Sequence, residues 1–203
     1  MFNFKYIFGI LGVTTAFIGY IPYLRDTING KTKPHIYSWF LWALVSTIIF
    51  ALQFAAGGGV GTFVTLATGI LCLIVFILGL RNGQKDITFF DGIILGVCLI
   101  SIGIWLFAKD PYFSNYLLVG INVLIILPTL RKSWKDPYSE TLCMWTLGAL
   151  CNVFALAALA NYSMLTFLYP AYCAAVNAIF GIMLIARRAK VSSSVFEPAP
   201  QNE

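Results

Sequence analysis

Ile21-Pro22-Tyr23-Leu24-Arg25 and Leu127-Pro128-Thr129-Leu130-Arg131 share one pattern: an apolar residue, proline, any residue, leucine, arginine. Each closes an apolar block, and each is followed by a short basic stretch with a second proline, Pro34 or Pro137. Eight residues past that proline stands a tryptophan in both copies, Trp42 and Trp145, followed by Leu44 and Leu147. Thr62-Phe63 and Thr166-Phe167 extend the match at a nearly constant offset of about 103 to 106 residues. Four matches in one order at one offset read as an internal repeat.

The blocks between these markers set the fold class. Of 203 residues, 60% are hydrophobic and 10% charged, far too few charges for the surface of a soluble domain. About 20 apolar residues cross a hydrocarbon core of about 30 Å. That rule predicts seven spans, at 6–24, 37–56, 60–80, 88–108, 113–130, 141–160 and 164–186. The offset then equals four spans, so spans one to three match spans five to seven in the same orientation. The expected fold is an all-α membrane protein of seven transmembrane helices, with two parallel three-helix repeats (1–84 and 111–190) joined by a linker helix (85–110). The linker carries Gly92-x-x-x-Gly96 and Gly103, which predict close packing on neighbours. Residues 191–203, with three serines, two prolines and two glutamates, read as a disordered cytoplasmic tail. The first span lacks a small-residue cleavage site, and its basic residues follow it, so it reads as a mature helix.

Charge placement gives orientation. Eleven of the thirteen basic residues fall after spans one, three, five and seven, leaving only Lys5 and Lys109 on the other side. The positive-inside rule puts the richer side in the cytoplasm. The N-terminus is then outside, the C-terminus cytoplasmic, and the membrane the plasma (inner) membrane. The net charge of +5 is thereby explained without a nucleic-acid partner. All five cysteines lie within spans and none forms a C-x-x-C pair, so they indicate neither a disulfide framework nor a metal site.

The plan of three helices, one linker and three helices resembles the SWEET and PQ-loop superfamily of parallel-repeat transporters. Its loop motif runs Pro-Gln, a few residues, Lys-Ser or Lys-Thr, then a serine opening the next helix. Pro22-Tyr23, Lys31-Thr32 and Ser38 follow that order, as do Pro128-Thr129, Lys132-Ser133 and Thr141 with looser spacing. Tyr23 and Thr129 stand where the motif has glutamine. The resemblance implies a carrier of a small polar solute, sugar-like or another small metabolite, working by alternating access. Vitamin or nucleoside carriers of the nicotinamide-riboside type share this plan. So do the KDEL receptors, which bind a peptide without transporting it.

Each proline lacks an amide hydrogen and frees a carbonyl one turn earlier, at Ile18 and Leu124. Pro22 and Pro128 are therefore hinge candidates, a role the resemblance also implies; the bland alternative is that they end their helices. Polar side chains inside spans usually face the bundle interior. The candidates include Thr14, Thr15, Ser46, Thr47, Gln53, Thr65, Thr68 and Ser101. Asparagine is the more telling type, on the expectation that its amide is harder to satisfy within its own helix. Asn122, Asn152 and Asn177 are the substrate-binding candidates. The resemblance implies a solute-binding asparagine in the third helix of each unit; Asn177 matches, while Leu73 stands at the paired position. Trp42 and Trp145 are candidates for gating the cytoplasmic mouth or stacking on a ring. Tyr169 and Tyr172 are further lining candidates. Tyr23, Trp39, Tyr112 and Tyr138 read as interfacial belt.

Charge within the spans is scarce. Asp91 is expected at the interface near Lys85 or Arg81, and His35, the sole histidine, in a solvated loop. Without a buried acid or histidine relay, facilitative transport is expected over ion-coupled pumping. No catalytic set, cofactor site or metal site is expected, so the chain does not read as an enzyme. Gly57-Gly58-Gly59-x-Gly61 has no following Gly-Lys-Ser/Thr and reads as a tight, flexible turn. The expected partners are a small solute and the lipid bilayer, with a homo-oligomer open.

Overall fold

The structure is a computed structural model that describes residues 4–83, 87–107 and 110–196. Among these residues there are seven α-helices and no strand. They are α1 (Phe4–Ile28), α2 (Ile36–Ala55), α3 (Thr62–Asn82), α4 (Phe89–Phe107), α5 (Pro111–Lys135), α6 (Leu142–Ala158) and α7 (Met164–Phe196). Five of them, namely α1, α2, α3 with its leading 3₁₀ turn, α5 and α7, are long and apolar enough to cross a membrane. α4 and α6 are shorter apolar helices. The 17 residues of α6 rise about 26 Å, at the lower limit for a span. The chain is an all-α membrane protein.

The helices assemble by exchange of neighbours. α3 packs on both α1 and α2, and α7 packs on both α5 and α6. Between these groups α1 packs on α6 and α2 on α5, while α4 lies against α5 and, more lightly, α2. The α1–α6 seam is close because α1 presents Gly12, Ala16 and Gly19, all buried. A β-carbon at Gly19 would stand 3.0 Å from Leu147 Cβ, and one at Gly12 3.3 Å from the Cys151 carbonyl oxygen. Small residues at such positions let helix backbones approach.

One alternative is set aside and three expectations change. Both prolines lie inside their helices, α1 running to Ile28 and α5 to Lys135, so neither ends its helix. The α4 glycines do not mediate packing: at Gly92, Gly96 and Gly103 an added β-carbon would meet nothing within 4 Å. They face outward because α4 joins the bundle through its other side, where Ile94, Cys98 and Ile102 are buried. α7 continues to Phe196 rather than ending before Val191, since the first residue that breaks a helix is Pro198; residues 197–203 lie outside the described residues. The glycine run is tight but packed. Gly57 and Gly59 take left-handed φ of 74° and 67°, and a β-carbon at Gly61 would stand 2.6 Å from the Ala155 carbonyl oxygen.

Candidate functional site

A cavity lies within the bundle, bounded by α1, α2, α3, α5, α6 and α7. The volume open to the centre of a water molecule is about 70 Å³. At about 10–15 Å³ per water on that measure, it holds a few waters or a small solute. Asn122, Asn152, Asn177, Trp42 and Trp145 all line it. So do Ser46, Thr65, Thr68, Tyr169 and Tyr172, whereas Thr14, Thr15, Thr47, Gln53 and Ser101 do not. None of the lining side chains carries a charge.

The three asparagines differ in what they have left to offer. Asn122 Nδ2 donates to the Leu118 carbonyl and Asn152 Nδ2 to the Gly148 carbonyl, both at 2.8 Å. An asparagine amide can thus bond back within its own helix, contrary to expectation, which leaves the amide oxygen of each, and the second amide hydrogen of Asn122, unbonded within the protein. The Asn177 side chain makes no hydrogen bond among the described residues. Its amide stands over Gly148, where an added β-carbon would come within 3.3 Å of Asn177 Cγ. Opposite, Ser46 and Tyr169 hydroxyls pair at 2.8 Å across α2 and α7.

One end of the cavity is floored by aromatic rings. Tyr23, Trp39, Trp42, Trp145 and Phe180 form a chain of contacts with centroids 5.0, 5.1, 5.9 and 4.1 Å apart. Edge-to-face and tilted pairs of this kind add about 0.5–1.5 kcal/mol each beyond burial. Tyr23 and Trp39 are fully buried, so they belong to the core rather than to an interfacial belt. Tyr112 and Tyr138 are half exposed, as a belt requires.

Beneath this floor lies a buried charge that the sequence did not single out. Glu140, between α5 and α6, pairs with Lys132 of α5; their side chains are 0% and 3% exposed. Tyr23 Oη donates to Glu140 Oε1 at 3.3 Å, and Trp145 Nε1 to Oε2 at 3.1 Å. Lys132 Nζ also donates to the Lys33 carbonyl at 2.6 Å. Arg188 of α7 donates to the Glu140 carbonyl. One carboxylate therefore joins α1, α5 and α6 and fixes a cavity-lining tryptophan. Charge is scarce in the helices but not in what closes their end. The signal available was that Glu140 is one of only eight acids and stands five residues before Trp145.

Asp91 and His35 also depart from expectation. His35 is fully buried, with Nε2 3.4 Å from Asp91 Oδ2. Asp91 caps the start of α4, accepting from Thr88 N at 2.8 Å, and pairs with Arg131 Nη2 at 2.7 Å. Its partner is thus the arginine of the second Pro-x-Leu-Arg motif, not Arg81; Lys85 lies outside the described residues. Burial lowers the His35 pKa from its ordinary 6.5, with Arg131 and Lys132 acting in the same sense and Asp91 opposing.

Hydrogen bonds tie the chain together at both ends of the bundle. At the basic end Lys33 N donates to the Ser139 carbonyl at 3.1 Å, and Thr141 Oγ1 to Asp26 Oδ2 at 3.1 Å. At the other end Ala160 N donates to the Gly58 carbonyl at 2.9 Å, and Gln53 Nε2 to the Thr166 carbonyl at 3.2 Å. Among the described residues no group of three or more His, Cys, Asp or Glu side chains could hold a metal. Comparisons with family models, curated proteins and solved structures give no match to this chain.

Proposed function

We propose that this protein is a membrane carrier of a small, neutral, polar solute, working by alternating access and without ion coupling. The observation that carries the reading is the uncharged cavity on which all five candidate side chains converge. Its few-water capacity suits a small metabolite better than a peptide. The exchange of neighbours, α1 on α6 and α2 on α5, supports two parallel repeats related by a pseudo-two-fold through the cavity, with α4 as linker. Loop ties at both ends supply the two gates such a cycle needs. Pro22 and Pro128, which lie inside continuous helices, serve as the hinges. The basic end faces the cytoplasm of the plasma (inner) membrane.

Six aromatic side chains, those of Tyr20, Trp39, Trp42, Trp145, Tyr169 and Tyr172, line the cavity. They favour, as a second reading, a ring-bearing solute of the vitamin or nucleoside kind. A thermal-shift panel of sugars, amino acids, nucleosides and vitamins tests both, because a ligand of the folded state raises the melting temperature. Stabilisation by one class, lost in Asn177→Ala, is expected, followed by uptake of that ligand into proteoliposomes. Binding without uptake would make the protein a receptor and sink the carrier reading.

A further inference from the structure

A second concavity, outside the cavity, opens between α4 and α5 at the basic end. Phe90, Leu127, Pro128 and Leu130 form its apolar walls. Arg131, Trp134 and Lys135 stand at its rim. α4 meets α5 and, more lightly, α2. From Leu127 to Lys135 the groove climbs about 12 Å along α5, from the apolar span to the interface.

The rim is cationic. Arg187 of α7 lies over the Trp134 ring at 4.8 Å and donates to the Trp134 carbonyl at 2.9 Å, adding a third cation beside Arg131 and Lys135. Asp91 also lines the groove, where it pairs with Arg131 and accepts from Thr88 N, offsetting one of the three cations and leaving the rim net positive; Asp136 accepts from Tyr138 N past the end of α5. Apolar walls in the hydrocarbon beneath cations at headgroup level match one molecule of the bilayer. Basic pockets between spans on the cytoplasmic side recognise anionic headgroups, each cation acting through charge-assisted bonds to phosphate. A zwitterionic lipid would return a positive charge to this rim.

We propose that the α4–α5 groove is a binding site for an anionic phospholipid. Its phosphate lies among Arg131, Lys135 and Arg187, and an acyl chain runs along Leu127, Pro128 and Leu130. The lipid then braces α5 at the proline where the helix lacks a backbone bond.

Native mass spectrometry of the full chain in neutral detergent, titrated with dioleoylphosphatidylglycerol or dioleoylphosphatidylcholine, tests this. The glycerol lipid is expected to bind with one-to-one stoichiometry and the choline lipid to be lost. Lys135→Ala is expected to weaken binding about fivefold, the effect of one interfacial cation. Leu130→Trp, which fills the groove, is expected to abolish one-to-one retention without changing charge. Lys31→Ala, exposed at the same end but lining the concavity between α1 and α6, is expected to change nothing. Equal weakening by Lys31→Ala and Lys135→Ala would reduce the effect to diffuse attraction. Equal retention of both lipids, displacement by millimolar inorganic phosphate, or a second protein copy in place of lipid would each overturn the site.

Discussion

Replacing Glu140 by glutamine keeps the shape of the side chain and removes its charge. Lys132, 3% exposed, then stands buried with only the Lys33 carbonyl as a close acceptor. Removing one partner of a buried ion pair costs about 3–5 kcal/mol, because the other charge is left uncompensated. Glutamine still offers one oxygen to Tyr23 or Trp145, which places the expected cost near the lower end, about 3 kcal/mol. For a chain of this size each kcal/mol moves the melting temperature by about 2–4 °C, so a fall of about 6–12 °C is expected. Lys132→Met in the Glu140→Gln background removes both charges and should recover most of that loss. The assay is thermal unfolding in detergent by tryptophan fluorescence for wild type, both single variants and the double variant. If the two single losses simply add in the double variant, the pair is not coupled and the reasoning fails.

Three further outcomes follow from the packing and electrostatics. Pro22→Ala with Pro128→Ala should slow transport far more than it weakens ligand binding; equal loss of both would assign the prolines to folding. The His35 pKa is lowered by burial, so the unfolded chain binds the proton more readily than the folded one. The stability held above the unfolded value of about 6.5 is then lost as pH falls below it toward the folded value. Asp91, Arg131, Lys132 and Ser38 surround the ring; His35→Gln should flatten the melting temperature between pH 7 and 5, and an unchanged slope would point to another group. Gly61→Ala should destabilise strongly, since its β-carbon would press on a backbone oxygen 2.6 Å away. Gly96→Ala, facing open space, should leave the melting temperature unchanged or raised, a difference unfolding in detergent reads directly.

Much of the fold was legible because the bilayer imposes its own arithmetic. Apolar blocks of about 20 residues located all seven helices, and the observed ends differ most at α7, which runs to Phe196, and then at α1 and α5, which Arg25, Lys135 and the flanking polar residues extend beyond the apolar core. The cavity was legible through residue chemistry: polar groups inside a span turn inward, and Asn122, Asn152 and Asn177 did so. Tyr23 and Trp39 were misread because an aromatic at a span end looks the same whether it meets headgroups or another helix. Only the approach of α6 decides the matter, and that approach depends on glycines at 12 and 19 meeting residues more than 120 positions away. Glu140 and His35 were missed for a related reason. Loop charges read as solvated until a partner 8 residues away for Glu140, or 56 for His35, is folded against them. The outward α4 glycines show the converse: a small-residue pattern permits close packing without requiring it.

Alternating access itself is tested most directly at Cys173, which lines the cavity on α7. A variant retaining only this cysteine, reconstituted in oriented proteoliposomes, is exposed to a membrane-impermeant thiol reagent from one side or the other. Modification from both sides is expected, slowed by the stabilising ligand and shifted toward the basic end by Glu140→Gln. Modification from one side alone, whatever ligand is present, would contradict a carrier and leave a one-sided binding protein.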